Sequence, residues 1–149
     1  MDTELDPESV LVVHDARSRA CDALLSRLAV AMHRDPSDFR VVMSAQAAAE
    51  SLRASARGES EVRLALVCLD LQPAPRAGSR IAEFAAAQGI PVVLVTRSTR
   101  WLPEGSPLTA LPWIPPDASI VDILDAISRA IELASAPESD ALDRVSIGF

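Results

Sequence analysis

The sequence contains no lysine and no tyrosine, and only 3% of its 149 residues are aromatic. All 14 basic side chains are arginines, so no site in this chain can use a lysine ammonium group. The formal net charge is −7, and the arginines form no cluster. Because nucleic-acid-binding proteins present a basic surface to the phosphate backbone, we expect no nucleic-acid partner.

Long apolar runs and paired cysteines are also missing. No apolar stretch approaches the roughly 20 residues that a membrane-spanning helix needs. The segment from Met1 to Asp6 is acidic, whereas a secretory signal begins with basic residues. We therefore expect a cytoplasmic protein that does not associate with a membrane. Cys21 and Cys68 are far apart and lack metal-clip spacing, which predicts buried free thiols.

The remaining composition, 49% apolar and 23% charged, is typical of one globular domain. Much of the negative charge lies at the two ends of the chain. Residues 1–9 contain four acidic side chains, and residues 137–149 contain three acidic side chains and one arginine. We predict an acidic extension over 1–9, a single domain over 10–136, and a tail over 137–149 that is either disordered or a docking segment.

Strand and helix patterns alternate along the predicted domain. Five apolar runs are predicted as strands buried on both faces, near 10–14, 39–43, 62–69, 91–96 and 111–114. Helical spacing of apolar residues is found over about 17–32, 45–57, 80–88 and 120–134. We expect the last three helices to be capped by Ser44, by Ser79 and by either Asp117 or Ser119. Residues 97–111 have room for one or two helical turns at most. The alternation predicts a flavodoxin-like doubly wound α/β domain, with a five-stranded parallel sheet in the order 2-1-3-4-5 and helices on both faces.

Two of these predicted strands end on a carboxylate. Asp15 closes the apolar run that begins at Val10, and Asp70 closes the run that begins at Val62. The first and third strands are neighbours in the predicted order, and open α/β sheets bind ligands at the C-terminal edge of such strands. We therefore expect Asp15 and Asp70 to face one crevice, together with His14.

With these landmarks in order, residues 10–134 resemble a response-regulator receiver domain of two-component signalling, a CheY-like domain. The resemblance rests on the first strand, Val10–Asp15, and on Leu69-Asp70-Leu71 with a glycine, Gly78, eight residues after the aspartate. It also rests on the fourth predicted strand, which ends in Thr96.

The resemblance implies that Asp70 is the phosphoacceptor and that Thr96 is the switch residue. It also implies that Asp15, Asp70 and the backbone carbonyl of Gln72 are the ligands of Mg²⁺. Other interpretations remain open for each residue. In these interpretations, Asp70 is an inherited carboxylate that caps the following loop, and Asp15 caps the helix that begins near Arg17. The Thr96 hydroxyl forms a hydrogen bond with the backbone at the strand end.

The departures from the family pattern fall at this site. Receiver domains have two acids at the end of the first strand, and here one of them is His14. They have a lysine at the end of the fifth strand, and here that position is Pro115. Mg²⁺ and the lysine neutralise the charge of the phosphoryl group, so their loss weakens phosphorylation. We expect no required cofactor, weak or absent Mg²⁺ binding, and no catalytic residue.

The leading hypothesis is an atypical stand-alone receiver, a pseudo-receiver, that acts in signal transduction through protein–protein interaction and without phosphorylation. The expected partner is a signalling protein or a histidine kinase, and a homodimer is left open. Trp101 and Trp113 are the interface candidates, with coverage of the sheet edge as the alternative. Two other functions remain: a phosphoryl-accepting regulator that uses Asp70, and a small doubly wound enzyme or nucleotide binder. No glycine-rich phosphate loop follows the first strand, which argues against the last.

Asp70→Asn is expected to increase the free energy of unfolding by about 1 kcal/mol, because it removes the repulsion between Asp15 and Asp70 in a crevice without a lysine. Urea unfolding measures this change. Asp6→Asn, which removes the same charge from the acidic extension, is the control and should have little effect. Clear destabilisation by Asp70→Asn would mean that the carboxylate has a structural partner.

Overall fold

A five-stranded parallel sheet in the order β2-β1-β3-β4-β5 forms the centre of the protein in this computed structural model. The structure describes residues 9–13, 19–69, 75–97 and 105–135. The strands are β1 (Val10–Val13), β2 (Arg40–Val42), β3 (Leu64–Cys68), β4 (Val92–Val95) and β5 (Trp113–Ile114). The predicted strand order and the doubly wound parallel architecture are therefore confirmed.

Four α-helices are present in the described residues: α1 (Arg19–Ala31), α2 (Ala45–Ala56), α3 (Pro75–Ala87) and α4 (Ile120–Ser135). Helix α1 packs against α4, and α2 packs against α3, so that one pair covers each face of the sheet. The described part of the β4–β5 connection contains only a one-turn 3₁₀ helix, Pro107–Ala110. None of the described helices combines the length and apolar content that crossing a bilayer requires.

The core forms because the three central strands are apolar at every position. All residues of β1, β3 and β4 are buried, which explains why these runs do not alternate between apolar and polar residues. Helices α1, α2 and α4 contribute large side chains that are fully buried, such as Leu28, Leu52 and Ile123, and α3 contributes Ile81 at 5% exposure. Burial of one such side chain stabilises the fold by roughly 1.5–3 kcal/mol. Cys68 is buried, as predicted.

Serine side chains cap two of the helices at the predicted positions. The Ser44 hydroxyl accepts a hydrogen bond from the Ala47 N–H at 3.1 Å, and the Ser119 hydroxyl accepts one from the Asp122 N–H at 3.2 Å. The prediction that Ser79 caps the third helix is wrong. Helix α3 begins four residues earlier, at Pro75, because the fixed φ of proline suits the first helical position and its missing N–H has no partner to lose there.

Gly78 is the point at which α3 approaches the end of β3 most closely. A Cβ atom at this position would lie 2.6 Å from the carbonyl oxygen of Cys68 and 2.9 Å from the Cα atom of Leu69. Both neighbours are backbone atoms and cannot rotate away. A residue without a side chain is therefore required where the first part of α3 crosses the C-terminal edge of the sheet.

Gly78→Ala is expected to destabilise the fold by about 2 kcal/mol, because the overlap with the backbone exceeds the gain of about 1 kcal/mol in helix propensity. The neighbouring substitution Ser79→Ala is the control. The Ser79 hydroxyl is buried without a hydrogen-bond partner among the described residues, so its removal should not destabilise the fold and is expected to stabilise it by about 1 kcal/mol. Urea denaturation measures both. Stabilisation by Gly78→Ala would contradict the close contact between α3 and β3.

Candidate functional site

The candidate site lies at the C-terminal edge of the sheet, where strands β1, β3, β4 and β5 end at one level. Val13 pairs with Val67, and Cys68 pairs with Val95. Val95 also pairs with Ile114. The C-terminal ends of these strands therefore lie side by side, as predicted for the edge at which the crevice is expected.

Four predicted site residues follow these strand ends directly in the sequence: His14, Asp15, Asp70 and Gln72. They lie outside the described residues, as does Trp101. The structure confirms that β1 and β3, the strands that lead into them, are neighbours. The roles of these side chains stay predictions.

Thr96 lies directly after β4, at the position that the family pattern gives to the switch residue. It is 1% exposed, and its N–H donates a hydrogen bond of 3.0 Å to the carbonyl oxygen of Ile114. On the β3 side of β4, the N–H of Leu69 donates a hydrogen bond of 3.0 Å to the carbonyl oxygen of Val95. Thr96 is thus enclosed between the ends of β3 and β5. A hydroxyl buried at this place is compatible with both of its predicted roles.

Pro115 directly follows β5, so a half-buried pyrrolidine ring stands where the family pattern has a lysine. The carbonyl of Pro115 accepts a hydrogen bond of 3.1 Å from the Ala118 N–H, which closes the turn into α4. The next residue, Pro116, is buried, and its carbonyl accepts a bond of 2.6 Å from Nη2 of Arg27 on α1. This end of β5 is therefore packed, and the turn that follows it contains the exposed carboxylate of Asp117 and no positive charge.

Two arginines at this end of the molecule were missed by the sequence analysis. Arg27 is half buried, and its Nε atom has no hydrogen-bond partner among the described residues. Its spacing from Leu24 and Leu28 places it on the inward stripe of α1, which was the available signal. Arg97 is exposed and follows β4 by two residues, as Asp70 follows β3 by two residues. Its position directly after Thr96 could have marked it as a cation at the site.

The outer edge of the sheet is formed by β5 and carries a groove. Trp113 is 44% exposed, whereas Ile114, on the opposite face of the strand, is 4% exposed. The groove between β5 and α4 has a volume of about 510 Å³ and is called the β5–α4 groove. It is lined by Thr109, Ala110, Leu111, Pro112, Trp113, Ile114, Pro115, Asp122, Asp125, Ala126, Arg129 and Leu133. Trp113, one of the two predicted interface residues, thus lies on a concave surface.

Prolines close the β5 edge to strand addition. The carbonyls of Pro112 and Ile114 accept hydrogen bonds from the N–H groups of Leu94 and Thr96 in the direction of β4. On the outer side, Pro115 has no N–H group, and the Leu111 N–H is already donated to the Leu108 carbonyl. Few backbone donors remain for a further strand, which is a common protection of exposed sheet edges. A molecule bound in this groove must therefore contact side chains.

The charges of the groove are exposed and mainly negative. The Arg129 Nε atom lies 3.3 Å from Oδ2 of Asp125, and both side chains are more than 60% exposed, so the pair contributes less than about 1 kcal/mol. Asp122 is the second carboxylate of the groove. The described residues contain no group of three His, Cys, Asp or Glu side chains that would hold a metal ion.

The displaced pKa values of the described chain belong to surface turns away from the site. The backbone N–H and the hydroxyl of Ser37 stabilise the charged form of Asp35 and lower its pKa. The Glu59 carboxylate, which lies 2.9 Å from the Arg57 guanidinium, raises the pKa of Arg57. Both pairs stabilise turns and have no contact with the groove.

Comparisons with known proteins identify the fold. The chain matches no family model and no curated protein. Among solved structures, the N-terminal domain of a response regulator/sensory box/GGDEF 3-domain protein from Carboxydothermus hydrogenoformans has a TM-score of 0.62 at 16% identity, covering 86% of this chain and 97% of that chain. The bacteriophytochrome response regulator AtBRR has a TM-score of 0.61 at 18% identity, covering 86% and 94% of the two chains.

A third similar structure is a response regulator receiver protein from Sinorhizobium medicae, with a TM-score of 0.58 at 16% identity over 85% of this chain and 97% of that chain. The receiver resemblance inferred from the sequence is thereby confirmed at the level of the fold. The match covers nearly the whole length of each of these domains.

Trp113→Ala is expected to reduce the free energy of unfolding by about 1 kcal/mol, because nearly half of the side chain is already in water. The control is Ile114→Ala on the same strand, which should cost about 3 kcal/mol because it leaves a cavity in the core. Urea unfolding followed by circular dichroism compares the two variants. Equal losses would show that Trp113 belongs to the core and is not available to a partner.

Proposed function

We propose that this chain, which has the fold of a response-regulator receiver domain, acts in cytoplasmic signal transduction by binding another protein, without enzymatic activity and without phosphorylation. The similarity to receiver domains supports the signalling role. The independence from phosphorylation rests on one observation: Pro115 occupies the end of β5, and the chain has no lysine anywhere.

The chemistry of phosphoryl transfer explains why this position matters. An aspartate accepts a phosphoryl group only when positive charges stabilise the phosphoryl oxygens. Asp15, Asp70 and the carbonyl of Gln72 are oxygen donors of the kind that Mg²⁺ binds, so they would hold the ion. When bound, Mg²⁺ would neutralise charge on the phosphoryl group. His14 in place of a second acid removes one negative charge and weakens that binding.

The missing lysine removes a second stabilising contact. A hydrogen bond to a charged group contributes about 1.5–3 kcal/mol, or roughly a tenfold to hundredfold change in an equilibrium. Arg27 donates one of its five N–H groups to the Pro116 carbonyl at 2.6 Å, which holds it at this turn. Arg97 is exposed to solvent, which screens its charge. We expect the phosphorylated state of Asp70 to be strongly disfavoured.

The β5–α4 groove is the surface that we assign to the partner. Two exposed apolar side chains line it: Trp113 at 44% exposure and Leu133 at 41%. Large aromatic side chains in concave surfaces contribute a major share of interface energies. Since the prolines prevent strand addition, the side chains of the partner would contact the side chains of this groove. A second copy of the chain is the alternative occupant, and light scattering distinguishes a homodimer from a complex with another signalling protein.

Incubation with Mg²⁺ and acetyl phosphate is expected to leave the wild-type protein essentially unmodified, as measured by intact mass. The positive control is the double variant His14→Asp with Pro115→Lys, which restores both charges and should gain one phosphoryl group. A stoichiometric gain by the wild type that disappears in Asp70→Asn would contradict the proposal. It would support the second candidate function, a phosphoryl-accepting regulator.

A further inference from the structure

An apolar cleft opens at the N-terminal edge of the sheet, on the opposite side from the candidate site. It lies where the end of α3, the start of β4 and the end of α4 meet, and its volume is about 280 Å³. Ile90 and Pro91 form its floor, and Leu133 and Ala134 form one wall. Every residue that lines it is apolar.

This lining restricts what the cleft can bind. None of its side chains offers a charge or a hydrogen bond, so a metal ion, an anion or a sugar would gain nothing by entering. Leu133 is 41% exposed and Ala110, on the rim, is also exposed. Burial of these side chains against another apolar group is the favourable interaction that the cleft offers.

We propose that the occupant is the tail of this same chain, through the segment Val145-Ser146-Ile147-Gly148-Phe149. Apolar residues alternate in this segment, so that Val145, Ile147 and Phe149 share one side of an extended chain. Helix α4 ends at Ser135, directly after Ala134 in the cleft wall. Because proline is unfavourable inside a helix, Pro137 favours an exit of the chain from α4 beside the cleft.

The length of the connection fits this return. Nine residues, 136–144, separate the end of α4 from Val145. They span up to ~30 Å when extended, which is ample for a segment that starts beside the cleft. Glu138, Ser139 and Asp140 are polar and suit a solvated connection. The apolar part of the tail therefore comes after a linker that is long enough to turn back.

The size of the cleft favours a tethered segment over a separate molecule. A stable interface between two proteins buries about 800 Å² on each partner, which is far more than a cleft for a few side chains provides. A short flexible linker holds the tail at an effective concentration in the millimolar range. A contact that is too weak between separate molecules is therefore populated within one chain.

Docking of the tail would also affect the β5–α4 groove, which is the surface assigned to the partner. The cleft and the β5–α4 groove share Ala110, Leu111 and Leu133, so a docked tail would cover part of the groove. The tail contact itself requires neither a partner nor phosphorylation. Its test therefore succeeds or fails independently of the proposed function.

The experiment compares amide NMR spectra and hydrogen exchange of the full chain with those of the double variant Ile147→Ser and Phe149→Ser. We expect the variant to shift the resonances of Ile90, Leu111 and Ala134 and to exchange the Ile90 and Leu111 amides several-fold faster. Leu142→Ser, an apolar loss outside the alternating segment, is the control and should leave these signals unchanged. A synthetic peptide of residues 137–149 at millimolar concentration should restore the wild-type shifts.

A second variant tests the contact from the cleft side. Leu133→Gln should move the amide resonances of Ile147 and Phe149 to the values of an unstructured chain while the sheet signals persist. The proposal is overturned if the tail variant leaves the cleft resonances in place. It is also overturned if light scattering shows a wild-type dimer that the tail variant loses, because a second copy would then cover the cleft.

Discussion

Burial of β1, β3 and β4 on both faces is the constraint on which the other features depend. A strand that is apolar at every position cannot leave either face in water, so helices must cover both sides of the sheet. The pairs α1–α4 and α2–α3 provide that cover. Parallel strands joined by helices then bring every strand-to-helix loop to the same edge. The location of the candidate site is thus a consequence of how the core is built.

The edge strand β5 is modified at both of its ends. This edge strand has two residues, and prolines flank it on both sides. The prolines remove backbone donors and therefore prevent pairing with another strand, while Trp113 and the exposed face of α4 present side chains. An edge of this kind favours recognition through side-chain contacts, which are more selective than backbone pairing.

The described part of the C-terminal edge has no cation at the end of β5. A phosphoryl-accepting site concentrates positive charge around the transferred group, whereas the turn over residues 115–118 contains the exposed carboxylate of Asp117, and Arg27 donates a hydrogen bond to its Pro116 carbonyl. This hydrogen bond uses one of the five N–H groups of the guanidinium and stabilises the turn. The described part of this edge is therefore arranged for a fixed conformation, with Arg97 as an exposed cation beside it.

Local pattern was sufficient for the elements of this protein. Apolar runs and helical spacing predict the strands and helices, and polar residues before the helical patterns predict the caps at Ser44 and at Asp117 or Ser119, because these features depend on neighbours within a few residues. The strand order followed from the general rules for connections between parallel strands. Tertiary structure decided what involves distant segments. The requirement for glycine at position 78 comes from the backbone of Cys68, and the role of Arg27 comes from a carbonyl 89 positions away. The start of α3 at Pro75 was missed because a proline and a glycine close together in the sequence suggest a loop as readily as a helix. Here they belong to a helix that must pass close to a strand. Sequence spacing carries no information on such contacts, since they arise only when the packed helices bring distant backbone atoms within van der Waals distance.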